Sequence, residues 1–214
     1  MDVVFDNLDL FLEGMRTTVL LTLLGFAGAF VIGIVVAAFR TSPVPPLRAV
    51  GTFYVATVRN TPLAVLFVLF FFGLPDVGIL YSRFTSAVIV LAAYTGAFVA
   101  ETIRSGINAV ATGQGEAARA IGLTFPQLMR IVVLPQAIRT VVAPLGSIFI
   151  ALIKNSALAA LISVADLAET AERLINETAQ PLPIFLGAAV AYLLLTIPSG
   201  FAVGWIERKV AIKR

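Results

Sequence analysis

The sequence predicts an all-α membrane protein, with about five transmembrane helices and one short helix held outside the bilayer. Three observations predict it. Hydrophobic residues make up 59% of the 214 and charged residues only 13%, whereas soluble domains run near 25% charged. The apolar residues gather into five segments, roughly 17–39, 50–74, 85–103, 140–162 and 183–206, and about 20 helical residues cross roughly 30 Å of hydrocarbon. Strands of this length would leave unpaired backbone in lipid, so helices are the sensible reading. No repeat, low-complexity tract or soluble boundary interrupts the pattern, so residues 1–214 form a single transmembrane domain.

At the N-terminus, Asp2, Asp6, Asp9 and Glu13 share one helical face, with Phe5, Leu8 and Leu12 turned elsewhere. That spacing predicts a helix lying on the membrane surface. The same acids argue against a cleavable signal, which needs positive charge there. The first span follows at 17–39.

Taking the N-terminus as outside, the inner segments 40–49, 104–139 and 207–214 hold Arg40, Arg48, Arg104, Arg119, Arg130, Arg139, Arg208, Lys209, Lys213 and Arg214, most of the 15 basic residues. The outer segments hold Arg16, Arg83 and Arg173, against the acids Asp2, Asp6, Asp9, Glu13, Asp76, Asp166, Glu169, Glu172 and Glu177. The basic excess sets the orientation: N-terminus outside, C-terminus cytoplasmic.

The second and fourth spans are each interrupted by a basic–amide–hydroxyl triplet, Arg59-Asn60-Thr61 and Lys154-Asn155-Ser156. The helix from Pro62 to Leu74 would span roughly 20 Å, and that from Thr140 to Ile153 about 21 Å, both short of a bilayer. Two readings stay open. The charges lie at membrane depth and line a substrate path, or the long side chains snorkel to headgroups. A path built this way favours a substrate bearing a carboxylate, because guanidinium grips carboxylate in bidentate fashion. That leans toward an amino acid, an acidic one such as glutamate included, over a sugar or metal ion.

The third span ends with Glu101 and Arg104, spaced for an i,i+3 ion pair at a helix end; the alternative role is a contact relaying motion into the bundle. A proton relay has no second acid or histidine to use. Residues 114–135 then form an elbow. Glu116 starts a short helix, Ala117, Ala118 and Ala120 give it a small-residue face, and Gly122 stops it. Thr124 and Gln127 form a capping box, with Pro126 in the first turn, that starts the next helix. Beyond the fourth span, Ser163 and Asp166 cap a second surface helix. Its Val164, Leu167, Ala171, Leu174 and Ile175 share a face, and Glu169 can pair with Arg173. Its bland role is a solvated anchor for a loop; its functional one is docking an extracytoplasmic partner.

Enzyme classes start from a poor position. The chain has no Cys and no His, which removes disulfides, thiol nucleophiles, the commonest metal ligands and the commonest general base. Gly113, Gly115 and Ala118 nearly spell a dinucleotide fingerprint, but no strand precedes them. No phosphate-binding GxxxxGK[ST] loop occurs, so ATP, if used, sits on another chain. Nothing points to nucleic acid or a bound metal.

The elbow resembles the EAA loop of ABC-importer permeases, through Glu116-Ala117-Ala118, Gly122 and the closing Ile131, Leu134 and Pro135. Arg59-Asn60-Thr61-Pro62-Leu63, Tyr94-Thr95 with Glu101 and Arg104, and Lys154-Asn155-Ser156-Ala157-Leu158 are similar to stretches of the polar amino acid uptake family (the histidine, glutamine and glutamate permeases), with actinobacterial glutamate permeases nearest. Asn155 and Ala157 depart from the Asp and Ser that many relatives carry.

The resemblance implies a multi-pass protein of the bacterial cell membrane with no cofactor of its own. Its partners would be a second permease, like or unlike, an extracytoplasmic substrate-binding protein, membrane lipid, and two ATP-binding subunits holding ATP and Mg. It also implies that Gly115, Glu116, Ala117, Ala118, Arg119, Ala120 and Gly122 belong to a cytoplasmic coupling helix gripped by the ATPase. The rival readings are a self-sufficient secondary carrier or channel, which would need an intramembrane ion site, and a non-transporting membrane anchor.

Overall fold

The computed structural model describes residues 2–210; Lys213 and Arg214, part of the inner basic excess, lie outside them. Ten α-helices follow in order: α1 (Asp2–Asp6), α2 (Leu8–Thr41), α3 (Pro45–Asn60), α4 (Leu63–Gly73), α5 (Arg83–Asn108), α6 (Thr112–Ala120), α7 (Phe125–Gln127), α8 (Leu134–Asn155), α9 (Leu167–Thr178) and α10 (Pro181–Val210). Short 3₁₀ segments at Pro75–Val77 and Ser156–Ile162 and a π segment at Leu128–Val133 join some of them. Among the described residues there is no strand.

Four stretches are long and apolar enough to cross a membrane: Leu8–Thr41, Arg83–Asn108, Phe125–Ile162 and Pro181–Val210. The predicted second span is a bent pair instead. Pro45–Asn60 and Leu63–Val77 meet at 104°. Pro62 supplies the break, because it disfavours helix at Thr61 and offers no N–H; Thr61 is accordingly extended, at φ −99° and ψ 131°.

The bundle centres on α2 and α5. The buried face of α2 is a ladder of small residues, Gly14, Thr18, Thr22, Gly25, Ala29, Gly33 and Ala37, broken by Phe11 and Leu21. It meets Ala87, Leu91, Ala92, Gly96, Ala97, Val99 and Ala100 of α5. A Cβ added at Gly33 would stand 2.7 Å from Val99 Cβ, and one at Gly28 2.8 Å from Ala92 Cβ. In lipid, where apolar burial gives helices no reason to prefer each other, this close backbone approach supplies the association through dispersion contacts. Leu63 and Phe67 of α4 join Leu91, Leu152, Ala159 and Ile162 in the largest buried cluster, tying the second half of the bent pair to the end of the fourth span.

Four expectations are corrected. The acidic N-terminal helix is not one surface helix. It breaks at Asn7, and Asp9 and Glu13 belong to α2, which runs into the first span for 34 residues. Gly14 holds that extension down, because it sits against Leu167 and Thr170 of α9, with an added Cβ only 3.0 Å from Leu167 Cα. The second surface helix, α9, is capped by Asp166, whose side chain accepts the Glu169 N–H at 3.0 Å. Ser163 does not cap; at φ 54° it closes the preceding 3₁₀ segment. The expected face forms, with Val164, Leu167, Ala171 and Leu174 buried, but Phe11, Ile184 and Ala188 cover it, so α9 packs on protein. Glu169 and Arg173 make no ion pair; Glu169 Oε2 is buried and turned away from the surface. Burial also pushes the Asp166 carboxyl up to about 7.

Candidate functional site

The short helix of the elbow begins at Thr112, not Glu116. α6 runs Thr112–Ala120 after Ala111 at its N-cap, so Glu116 lies in its middle, exposed. No break separates Thr112 from Glu116, and Gly113 and Gly115 are tolerated inside the helix. Gly122 ends it as expected, at φ +85°, where a side chain would be strained. Of the alanines, Ala118 turns inward at 5% exposure, while Ala117 and Ala120 face out with Glu116 and Arg119. Ile121 and Phe125 stand 78% and 72% exposed beside them.

The restart uses the expected capping box of Thr124 and Gln127, in which Gln127 Oε1 accepts the Thr124 N–H at 2.8 Å and the Thr124 hydroxyl at 2.9 Å. The helix then continues through the π segment into α8, so the predicted fourth span extends back to Phe125. Pro135, which cannot donate to Ile131, accounts for the widened turn just before it. The elbow is tied to the bundle at Gly106. A Cβ there would overlap Val141 Cγ1 and stand 3.1 Å from Ala137 O, so the end of α5 and the start of α8 touch backbone to backbone.

The 104° bend holds the first triplet. Asn60 Nδ2 donates to Ala56 O at 2.7 Å, and the Thr61 hydroxyl to Thr57 O at 2.9 Å. Both side chains satisfy the last carbonyls of α3. Arg59 remains outward, its guanidinium 5.1 Å from the Phe98 ring centre and 4.0 Å from Glu101 Oε2. The second triplet is divided. Lys154 lies in the last turn of α8, exposed, with no carboxylate within 4.0 Å among the described residues. Asn155 is partly buried. Ser156 is fully buried and donates to Ile153 O at 2.8 Å, so it serves the change from α to 3₁₀ helix rather than lining an open path.

Glu101 does pair with Arg104, but the pair is part of a larger cluster. Arg104 Nη2 holds Oε1, Arg40 Nη1 holds Oε2, and Arg59 approaches Oε2 from the bend. Three guanidiniums from α2, α3 and α5 converge on one carboxylate, and the Nε atoms of Arg40 and Arg104 are buried without partners. Sequence reasoning missed Arg40, Phe98 and Gly106 here. Arg40 entered only the inner charge count, although its place in the last turn of α2 was a usable signal.

This arrangement has no nucleophile, no base and, among the described residues, no cluster of metal ligands. It offers a helical bundle, a short, mostly exposed helix between α5 and α8, and a polar bend. The family of binding-protein-dependent transport system inner membrane components matches residues 29–212. The chain belongs to this family. The likeness to ABC-importer permeases of polar amino acid uptake is thereby borne out, and the permease is a transport subunit of the inner membrane rather than an enzyme.

Among its relatives is a probable glutamine ABC transporter permease of Bacillus subtilis, 38% identical, with 97% of this chain and 96% of that one covered. A glutamate transport system permease of Corynebacterium efficiens is also 38% identical, with 95% of each covered. A solved amino acid ABC transporter crystallised with histidines has a chain that superposes with TM-score 0.92 at 34% identity over 96% of both chains.

Proposed function

We propose that this permease carries L-glutamate, or another polar amino acid, as the membrane-spanning part of an ABC importer. It works beside a second permease subunit, like or unlike. An extracytoplasmic binding protein delivers the substrate, and two ATP-binding subunits hold ATP and Mg. The N-terminus lies outside and the C-terminus in the cytoplasm. Residues Thr112–Ala120 act as the coupling helix, and the path runs past Arg59 and Lys154, with Asn60, Thr61, Asn155 and Ser156 shaping the bends.

The observation that carries the reading is the elbow. It is a rigid helix–turn with small residues and two exposed apolar side chains, Ile121 and Phe125, joined to α5 and α8 at the tight Gly106 contact. A stiff element of this kind, which would leave apolar surface unpartnered, suits a groove on another subunit. When the ATPases close on ATP, α6 is displaced and α5 and α8 move with it, switching the bundle between inward and outward openings. Glutamate is favoured over a neutral amino acid by the surplus of guanidinium over carboxylate at the bend, three to one, and by glutamate-transport relatives at 38% and 37% identity. The 38% identical glutamine relative keeps glutamine as the second reading.

The test is coexpression with the proposed ATP-binding, permease and substrate-binding partners, copurification, and uptake in proteoliposomes. Glu116→Lys is expected to leave insertion intact and abolish ATP-dependent uptake. ATP-dependent uptake at the wild-type rate in that variant would remove the coupling assignment, and glutamine uptake that glutamate fails to compete would decide for the second reading.

A further inference from the structure

We infer that Glu101 is a positioning residue that competes with substrate carboxylate for Arg59, so that the grip on an anionic amino acid is reversible. The inference rests on the proposed path past Arg59 and assigns a role to a residue that does not itself touch substrate. Both oxygens of Glu101 are already occupied at hydrogen-bonding distance, Oε1 by Arg104 and Oε2 by Arg40. Arg59 is the third guanidinium, and at 4.0 Å it makes no hydrogen bond. Its side chain is 42% exposed, against 13% for Arg40 and 32% for Arg104. Phe98 supports it from one side at 5.1 Å.

The charges give the logic. Three cations face one anion, so the cluster carries an excess of two positive charges in a half-buried place at the inner part of α5. Arg40 and Arg104 are consumed in holding α2 to α5. Arg59 keeps its donors free, on the residue next to the bend, where a small rotation of α3 swings it. A carboxylate arriving along the path meets a planar fork with several free N–H groups, the geometry that carboxylate fits best. A guanidinium with no competing anion at that depth would bind too tightly to release its load. Glu101, poised just outside hydrogen-bond range, takes Arg59 back as the substrate leaves. The arrangement resembles an exchange of partners more than a fixed clamp.

The sign of the effect separates this role from a structural one. A residue that only braces the fold loses binding when it is removed; a competitor gains it. The measurement is equilibrium binding of radiolabelled L-glutamate and L-glutamine to the purified permease–ATPase complex without binding protein, with Arg59→Gln, Glu101→Gln and Glu101→Asp alongside wild type. Arg59→Gln should weaken glutamate about tenfold or more, as loss of a charge-assisted hydrogen bond does. Glu101→Gln should tighten glutamate several-fold while slowing its release, and Glu101→Asp, which keeps the charge, should stay within about twofold of wild type. Weaker glutamate binding in Glu101→Gln, or unchanged binding in both Gln variants, overturns the inference while the importer reading stands on uptake. If Glu101→Gln yields no intact complex, Arg59→Gln decides alone: unaltered glutamate affinity there overturns it. Wild-type complex that transports glutamate yet binds none also overturns it, whereas a complex that transports no amino acid at all refutes the proposed function itself.

Discussion

Replacing Gly106 by Ala sets two energies of opposite sign against each other. An exposed Gly→Ala change inside a helix stabilises by roughly 0.5–1 kcal/mol, because Gly loses more backbone freedom on folding. At Gly106 the new Cβ overlaps the Val141 methyl and lies 3.1 Å from Ala137 O. Ordinary carbon contacts need about 3.5–4.0 Å. A rotamer change at Val141 could relieve the first clash but not the second, which involves backbone; α8 must shift by several tenths of an ångström.

Overpacking of that kind costs about 1–3 kcal/mol, so a net loss near 1–2 kcal/mol is expected. That is a fall of several degrees in Tm at about 2–4 °C per kcal/mol for a chain this size. Val141→Ala alone leaves a small cavity and also destabilises, but in the double variant the two losses should overlap, with a coupling of about 1 kcal/mol. The assay is thermal unfolding of the detergent-solubilised complex, followed by tryptophan fluorescence and by loss of a monodisperse peak. A Gly106→Ala variant melting at or above wild type would mean helix propensity wins, and the backbone contact that ties elbow to bundle would be refuted.

Other expectations follow from the same geometry. Gly122→Val should insert normally yet lose most ATP-driven uptake, since a β-branched residue at φ +85° is strained by about 1–2 kcal/mol and re-aims the elbow; unchanged uptake would show that the turn angle is immaterial. Arg40→Ala should lower the yield of folded protein more than Arg59→Ala does, because Arg40 is the more buried partner of Glu101; equal yields would contradict that ranking. Asp166 is held above its ordinary pKa of 3.8, up to about 7, by burial. The folded state therefore binds the extra proton, and the stability Asp166 contributes is full below about pH 4 and lost as pH rises through 7. Asp166→Asn, which keeps the cap, should flatten the Tm-versus-pH curve across that window; a curve of unchanged slope would locate the titration elsewhere.

The membrane character, the approximate positions of the spans and the stop at Gly122 were legible in the sequence because each follows from local rules: apolar length and the φ demanded by a turn. The bend at Pro62 was half legible. The triplet and the short apolar run announced an interruption, but nothing local fixes an angle of 104°. Glu116 was misplaced at a helix start, because glycines such as Gly113 and Gly115 cost only about 1 kcal/mol each inside a helix and so do not mark where it begins. The Glu101 cluster was visible only as its i,i+3 part. Arg40 lies 61 residues away in sequence, and which arginines meet depends on the packing of α2 against α5. The same blindness applies to Gly106 and Gly33, whose roles come from their neighbours across the seam. Ser156 shows the reverse error: a polar residue in an apolar run suggested a path, yet its hydroxyl satisfies a carbonyl of its own helix.

The seam of small residues between α2 and α5 has a consequence for motion. Side chains that interlock with Cβ-level clearance, as Gly33 does against Val99, leave no slack for sliding, and the Arg40–Glu101 tie pins one end. The two helices must travel through the transport cycle as a single beam. Spin labels placed one on each should report a constant separation in every nucleotide state, giving an internal ruler against which the swing of other helices can be measured.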